Sequence, residues 1–129
     1  MIVTVVIPGT PPAECSPNSH KHWRVKHRAN AAMRETAGKA GIVARMEAIG
    51  NCGGGPVFDG PVVVRTVIAW EKGRKRCDND NAGAMCKGLY DGALQDAGIV
   101  ANDKHCTFLP VEQIRDKAGV GYVTLEVSA

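Results

Sequence analysis

Residues 62–97, VVVRTVIAWEKGRKRCDNDNAGAMCKGLYDGALQDA, decide the fold. The first nine, Val62 to Trp70, are dense in β-branched residues, which suit a pleated, half-buried backbone, and they predict a strand. The segment KGRKRCDND that follows is the turn leaving it. From about Asn81 to Ala97, the apolar residues Ala82, Met85, Cys86, Leu89, Tyr90, Ala93 and Ala97 fall on one side. This predicts a helix with one buried face, stopped by Gly98.

The flanks extend this unit on both sides. Ile2 to Ile7 (IVTVVI) reads as a strand ended by Pro8, and PGTPPAECSPNS after it reads as a proline-rich loop. A helix from about His22 to Glu47 is expected, with Trp23, Ala29, Ala32, Met33, Ala37, Ala40, Val43 and Ala44 on its buried face. Gly38 and Gly41 weaken its middle, and GNCGGGP ends it. Downstream, about Cys106 to Ile114 and Tyr122 to Val127 read as strands flanking DKAGVG, a hairpin by its turn residues. The expectation is an α+β fold in a single domain, residues 1–129, with a mixed sheet, two main helices and the order β-α-β-α-β-β.

Composition narrows the function class. The chain has 129 residues and 44% hydrophobic content, ordinary for a globular domain. No apolar run approaches the roughly 20 residues of a membrane span, and the N-terminus lacks a signal-peptide pattern, so a cytoplasmic protein is expected. Cys15, Cys52, Cys77, Cys86 and Cys106 contain no C-x-x-C pair and read as free thiols in a reducing compartment. Net charge is only +3, but eight of the sixteen basic residues crowd two segments: Lys21, Arg24, Lys26 and Arg28, and Lys72, Arg74, Lys75 and Arg76. Carboxylates concentrate between them and the C-terminus, around 78 to 103. Basic clusters flanking acidic residues suit an enzyme that grips phosphates and places metal ions against them; solvated surface is the plainer alternative.

Asp78 and Asp80 stand two apart, so on an extended segment both side chains point to one side. Two carboxylates held so repel each other unless a cation or strong donor lies between them. Mg²⁺, which takes oxygen ligands and often only one or two carboxylates, is the usual answer. At about 100° per residue, Lys87 and Asp91 fall within about 20° of Asp80 on the second helix. That gives a polar row, with Lys87 and Asp91 spaced to pair. Simple helix capping by one aspartate and an exposed acidic surface without an ion both stay open. An EF-hand does not, because Ala82 and Leu89 occupy two of its ligand positions.

At this segment the chain resembles the RusA family of Holliday-junction resolvases. The family pattern is a basic run and D-x-D-N, a helix carrying a lysine and D-x-L, then a glycine and an acidic pair. It appears here as KGRKRCDNDN, CKGLYDGAL and DAGIVANDK. The N-terminal part is similar to phage-type members, with a strand ending in proline, Ser16-Pro17-Asn18, and His22-Trp23 entering a basic helix. The resemblance covers nearly the whole chain, most closely from Lys72 to Lys104. It implies a homodimeric endonuclease that hydrolyses phosphodiesters of four-way DNA junctions with Mg²⁺, or Mn²⁺ in its place, inside a bacterial or phage-infected cell. By position, Asp78, Asp80 and Asp103 match the family's metal-binding aspartates and Lys87 its catalytic lysine. Asn81 and Asp91 match recurrent polar positions. The eight clustered basic residues are then expected on DNA phosphates, and Trp23 either on an exposed base or in the core.

Two departures stand out: Asn102 replaces the first aspartate of the acidic pair, and three extra residues separate Asn81 from Lys87. The rival readings are a nuclease of the same fold for other branched or flapped DNA, a junction-binding protein without catalysis, and a zinc- or thiol-dependent protein using Cys77, Cys86 and His105.

Overall fold

Burial alternates residue by residue along β1 (Ile2–Pro8), with Val3, Val5 and Ile7 inward, as its β-branched pattern dictates. The computed structural model describes residues 1–50 and 54–129; Cys52 and the middle of the GNCGGGP loop lie outside the described residues. A single mixed sheet carries one long helix, α1 (Trp23–Ile49), and a segmented helical stretch on its inner face. The α+β class and the order of the main elements are as the sequence led us to expect.

The sheet order is β1, β5 (Tyr122–Ser128), β2 (Val62–Trp70), then an edge made of β3 (Cys106–Phe108) and β4 (Glu112–Arg115). β5 runs antiparallel to both β1 and β2, whereas β3 and β4 run parallel to β2. The expected hairpin is therefore corrected: β4 and β5 lie on opposite sides of β2 and do not pair. The DKAGVG segment crosses the end of β2. Its Asp116 carboxylate accepts N–H groups from Ala118, Val120 and Gly121 at 3.0, 3.1 and 2.9 Å. The expected continuous strand from 106 to 114 is also interrupted. Val64 pairs with Phe108 and Val67 with Glu112, so the edge carries one residue more than β2. Pro110, which lacks an N–H, sits in this bulge.

α1 begins at the His22 cap, whose Nδ1 accepts the Arg24 N–H at 3.1 Å, and ends at Gly50 in the left-handed region (φ 75°). Its buried residues are Met33, Ala37, Gly41, Ala44 and Arg45. Trp23 and Val43, expected inside, are exposed. Gly41 does more than weaken the helix. A Cβ there would collide with the Ala93 carbonyl, and one on Gly92 with the Arg34 carbonyl. These glycines let α1 and the 87–97 segment cross at backbone contact.

The second helix is likewise not continuous. It divides into α2 (Asn79–Met85), α3 (Lys87–Tyr90) and a π-helical turn (Asp91–Asp96). The break falls at Cys86, whose N–H donates to the Gly83 carbonyl three residues back at 3.1 Å. In the wider turn the Ala97 N–H reaches Gly92, five residues back, at 3.2 Å. Between these helices and the sheet lies the core, centred on Ile68, Trp70, Leu89, Leu94, Ile99 and Leu125. No helix among the described residues is long and apolar enough to cross a membrane.

Candidate functional site

The loop leaving β2 is fastened to the sheet by one side chain that the sequence did not mark. The Gln113 amide donates to the Cys77 carbonyl (2.7 Å) and Asn79 Oδ1 (3.0 Å). Its oxygen accepts the Cys77 N–H (3.2 Å) and the indole N–H of buried Trp70 (2.9 Å). The only sequence signal was a long polar residue where the strand pattern alternates inward. Asp78 follows as the cap of α2. One of its oxygens takes the Asn81 N–H at 2.8 Å, and the other takes the Asn81 side-chain amide at 3.1 Å. The capping alternative thus describes Asp78, and Asn81 occupies both of its oxygens. Asp80, one residue into the first turn, is exposed.

Lys87, Asp91 and Asp103 come together elsewhere, on the rim of a cavity of about 110 Å³ whose other lining includes Tyr90, Leu94, Gln95, Val100 and Phe108. The Lys87 ammonium, largely exposed, lies 3.9 Å from the Asp91 carboxylate, as their i, i+4 spacing predicted. Asp91 also faces Arg34 at 4.0 Å, while Arg34 itself forms a two-pronged pair with Asp96 at 2.6 and 2.8 Å. That pair holds the Asp96 carboxyl below the usual carboxylate range. Asp103 opens a short 3₁₀ turn capped by Asn102, whose Oδ1 accepts the Lys104 N–H at 3.0 Å. Asn102 therefore has a local task that an aspartate would perform equally well.

A second depression, a groove of about 370 Å³ between α1 and α3, shares Lys87 and Asp91 with the cavity and adds His27, Asn30 and Arg34. At about 100° per residue, Trp23, His27, Asn30 and Arg34 fall within about 60° of one another, one stripe about 16 Å long. Trp23 stands at its open end, 64% exposed, with the Arg24 guanidinium 5.5 Å from its ring centre. Lys21, Arg24 and Arg28 are exposed around it, and Lys26 is half-buried. His27, Asn30 and Arg34 escaped the sequence reading because the groove needs both helices in place.

The second basic cluster is less uniform. Lys72, Lys75 and Arg76 are exposed. Arg74 is spent on structure: it donates to the Pro11 carbonyl (2.8 Å) and to Glu71 (3.2 Å), and lies over Trp70 at 4.7 Å. Arg74 is thus engaged within the chain, unlike the other three.

The three aspartates expected to share an ion do not form one ligand set. Among the described residues no group of three or more His, Cys, Asp or Glu side chains stands close enough to hold a metal. Helix rise alone puts Lys87 about 10 Å beyond Asp80, and the break at Cys86 ends the common row. The same finding leaves the zinc reading of Cys77, Cys86 and His105 without a site. Cys15, Cys77, Cys86 and Cys106 are free, and burial raises each thiol, Cys86 to about 12, so they stay protonated near neutrality.

What remains is a lysine with two carboxylates at the end of a polar groove. Lys87 can neutralise a phosphate oxygen, and Asp103 can accept a hydrogen bond from a water beside it. Compared with models of known protein families the chain matches none, and no curated protein matches it.

Proposed function

We propose that this chain is a structure-selective DNA endonuclease of the RusA type. It would resolve four-way Holliday junctions by phosphodiester hydrolysis, acting as a homodimer in the presence of Mg²⁺. The observation that carries the reading is the groove of His27, Asn30 and Arg34, which shares Lys87 and Asp91 with the cavity that Asp103 lines, with exposed Trp23 one turn before His27 on α1. An exposed aromatic followed by cationic and amide side chains suits a strand whose bases are partly unstacked, as at a branch point. At the inner end, Lys87 is exposed and only loosely tied to Asp91, so it can turn to a phosphate and offset charge in the transition state. Lys21, Arg24, Arg28, Lys72, Lys75 and Arg76 would hold flanking phosphates without reading sequence. A two-fold junction is matched most simply by two copies of the chain.

Asp78, Asp80 and Asp103 do not fit one ion within a single chain, so the roles assigned to this chain's residues stop at phosphate and water handling. The same observation favours a second reading, a junction-binding protein that does not cut. The deciding experiment compares a mobile four-way junction, a linear duplex and a flap, each with Mg²⁺, Mn²⁺ or EDTA. The nuclease reading expects paired nicks in the junction with Mg²⁺ and none with EDTA. Tight junction binding with no cleavage under either metal would replace it with the binding reading. No preference for the junction would remove both.

A further inference from the structure

We infer that the cavity behind Lys87 and Asp103 receives one unstacked nucleobase, so that the site contacts the nucleotide beside the phosphate it handles. The inference rests on the DNA reading above and adds a substrate contact to it. The cavity holds about 110 Å³ and is partly open to solvent, which suits a single flat ring system. Its wall is an aromatic pair, Tyr90 and Phe108, with ring centres 4.4 Å apart and planes tilted by 37°. Tyr90 is fixed beneath by a 2.7 Å hydrogen bond between its hydroxyl and that of Thr66 on β2. Phe108, 40% exposed on the edge strand, keeps ring surface open.

Exposed Lys87, Gln95 and Asp103 and half-buried Asp91 line the same cavity as Tyr90, Leu94, Val100 and Phe108. A matching ligand is flat, apolar on its faces and hydrogen-bonding along its edge, which describes a nucleobase. A lone phosphate would use Lys87 but not the aromatic pair, and an aliphatic group would use the pair but none of the polar side chains beside it. The groove along α1 shares Lys87 and Asp91 with this cavity, so a strand lying in the groove delivers its next base to the cavity mouth.

The test uses full-length protein in EDTA and a set of four-way junctions. Each carries 2-aminopurine, or an abasic nucleotide, at one crossover position in turn. At one position, binding is expected to raise the 2-aminopurine fluorescence as the base leaves the stack. There the wild-type protein should prefer the base over the abasic nucleotide by roughly ten-fold, within the 5- to 150-fold span of one base–aromatic stack. Phe108→Ala should lose both the signal and the preference, and Phe108→Trp should keep them. The wild-type comparison stands even if a variant fails to fold. Unchanged fluorescence at every position, with equal affinity for base and abasic junctions, overturns the base pocket and leaves the DNA reading intact. Absence of junction binding altogether overturns both.

Discussion

Replacing Gln113 with alanine tests whether one side chain holds the loop that carries Asp78 and Asp80. The substitution deletes four hydrogen bonds from nitrogen donors, at 2.7, 2.9, 3.0 and 3.2 Å, and a weak one from the Cys77 thiol at 3.9 Å. Their partners differ in what they lose. The Trp70 indole N–H is left without an acceptor in a residue 1% exposed, which costs about 1–3 kcal/mol. The Cys77 and Asn79 groups are half-buried or exposed and can turn to water, so each contributes on the order of 0.5 kcal/mol. The sum, about 2–4 kcal/mol, corresponds to a drop of about 6–16 °C in Tm for a domain of this size. Urea unfolding followed by tryptophan fluorescence and by circular dichroism would measure it. Gln113→Glu keeps the acceptor for the indole and the Cys77 N–H but loses both donors, so a loss of about 1 kcal/mol is expected. A double-mutant cycle with Trp70→Phe isolates the indole bond, with a coupling of about 1–2 kcal/mol expected. A Gln113→Ala loss under about 0.5 kcal/mol, or zero coupling to Trp70, would refute the reasoning, since such a cost is that of an ordinary surface site.

Trp23→Ala should weaken junction binding about 5- to 100-fold while changing stability by less than about 0.5 kcal/mol, because the ring is exposed; gel-shift titrations and a thermal melt check both halves. Asp103→Asn should abolish junction cleavage, whereas Asn102→Asp, which keeps the cap on the same turn, should retain it; cleavage time courses of both variants beside wild type separate the two. Stability should also fall in alkali. Burial raises the folded Cys86 thiol to about 12, above its ordinary value near 8.5, so its contribution is complete below that ordinary value. It is lost as pH rises through the window up to about 12, and urea unfolding of wild type and Cys86→Ala at pH 8 and 11 should show a smaller decline in the variant.

The strands and the long helix were legible because their cues are local. IVTVVI is β-branched and stops at a proline, VVVRTVIAW is rich in β-branched residues, and His22 and Gly50 bracket α1. Pairing was not legible. DKAGVG has the residues of a hairpin turn, yet Asp116 draws three backbone N–H groups onto its carboxylate and carries the chain across the end of β2. Local turn chemistry specifies that the chain bends; which strand it then meets depends on β2 having two free edges. Trp23 was misjudged in the core for a related reason. Its helical spacing puts it with apolar neighbours, but at the start of α1 the ring is exposed and has the His22 ring and the Arg24 guanidinium beside it rather than the core.

The site was half legible, and the failing half is explained by packing. A row of Asp80, Lys87 and Asp91 requires an unbroken helix, but that segment must also seat Gly88 and Gly92 against the backbone of α1 at Asn30 and Arg34. The contact is met by tightening at Cys86 and widening after Asp91, so tertiary fit, not propensity, sets the pitch. Lys87 and Asp91 then line one cavity with Asp103, while Asp78 caps α2 through Asn81 and Asp80 stands exposed in its first turn. This removes the premise that crowded carboxylates must be bridged by a cation. Asp78 is satisfied by Asn81, Asp91 lies between Lys87 and Arg34, and Asp96 is held by Arg34. Folding needs no ion to relieve repulsion, so millimolar Mg²⁺ without DNA is expected to leave Tm unchanged. A ligand that binds the folded state at 100 times its Kd would instead add about 2.7 kcal/mol. A Tm that climbs steadily with Mg²⁺ alone would show that the aspartates do gather around an ion. Their separation within one chain would then have to be closed by a second copy or by movement of the 77–80 loop.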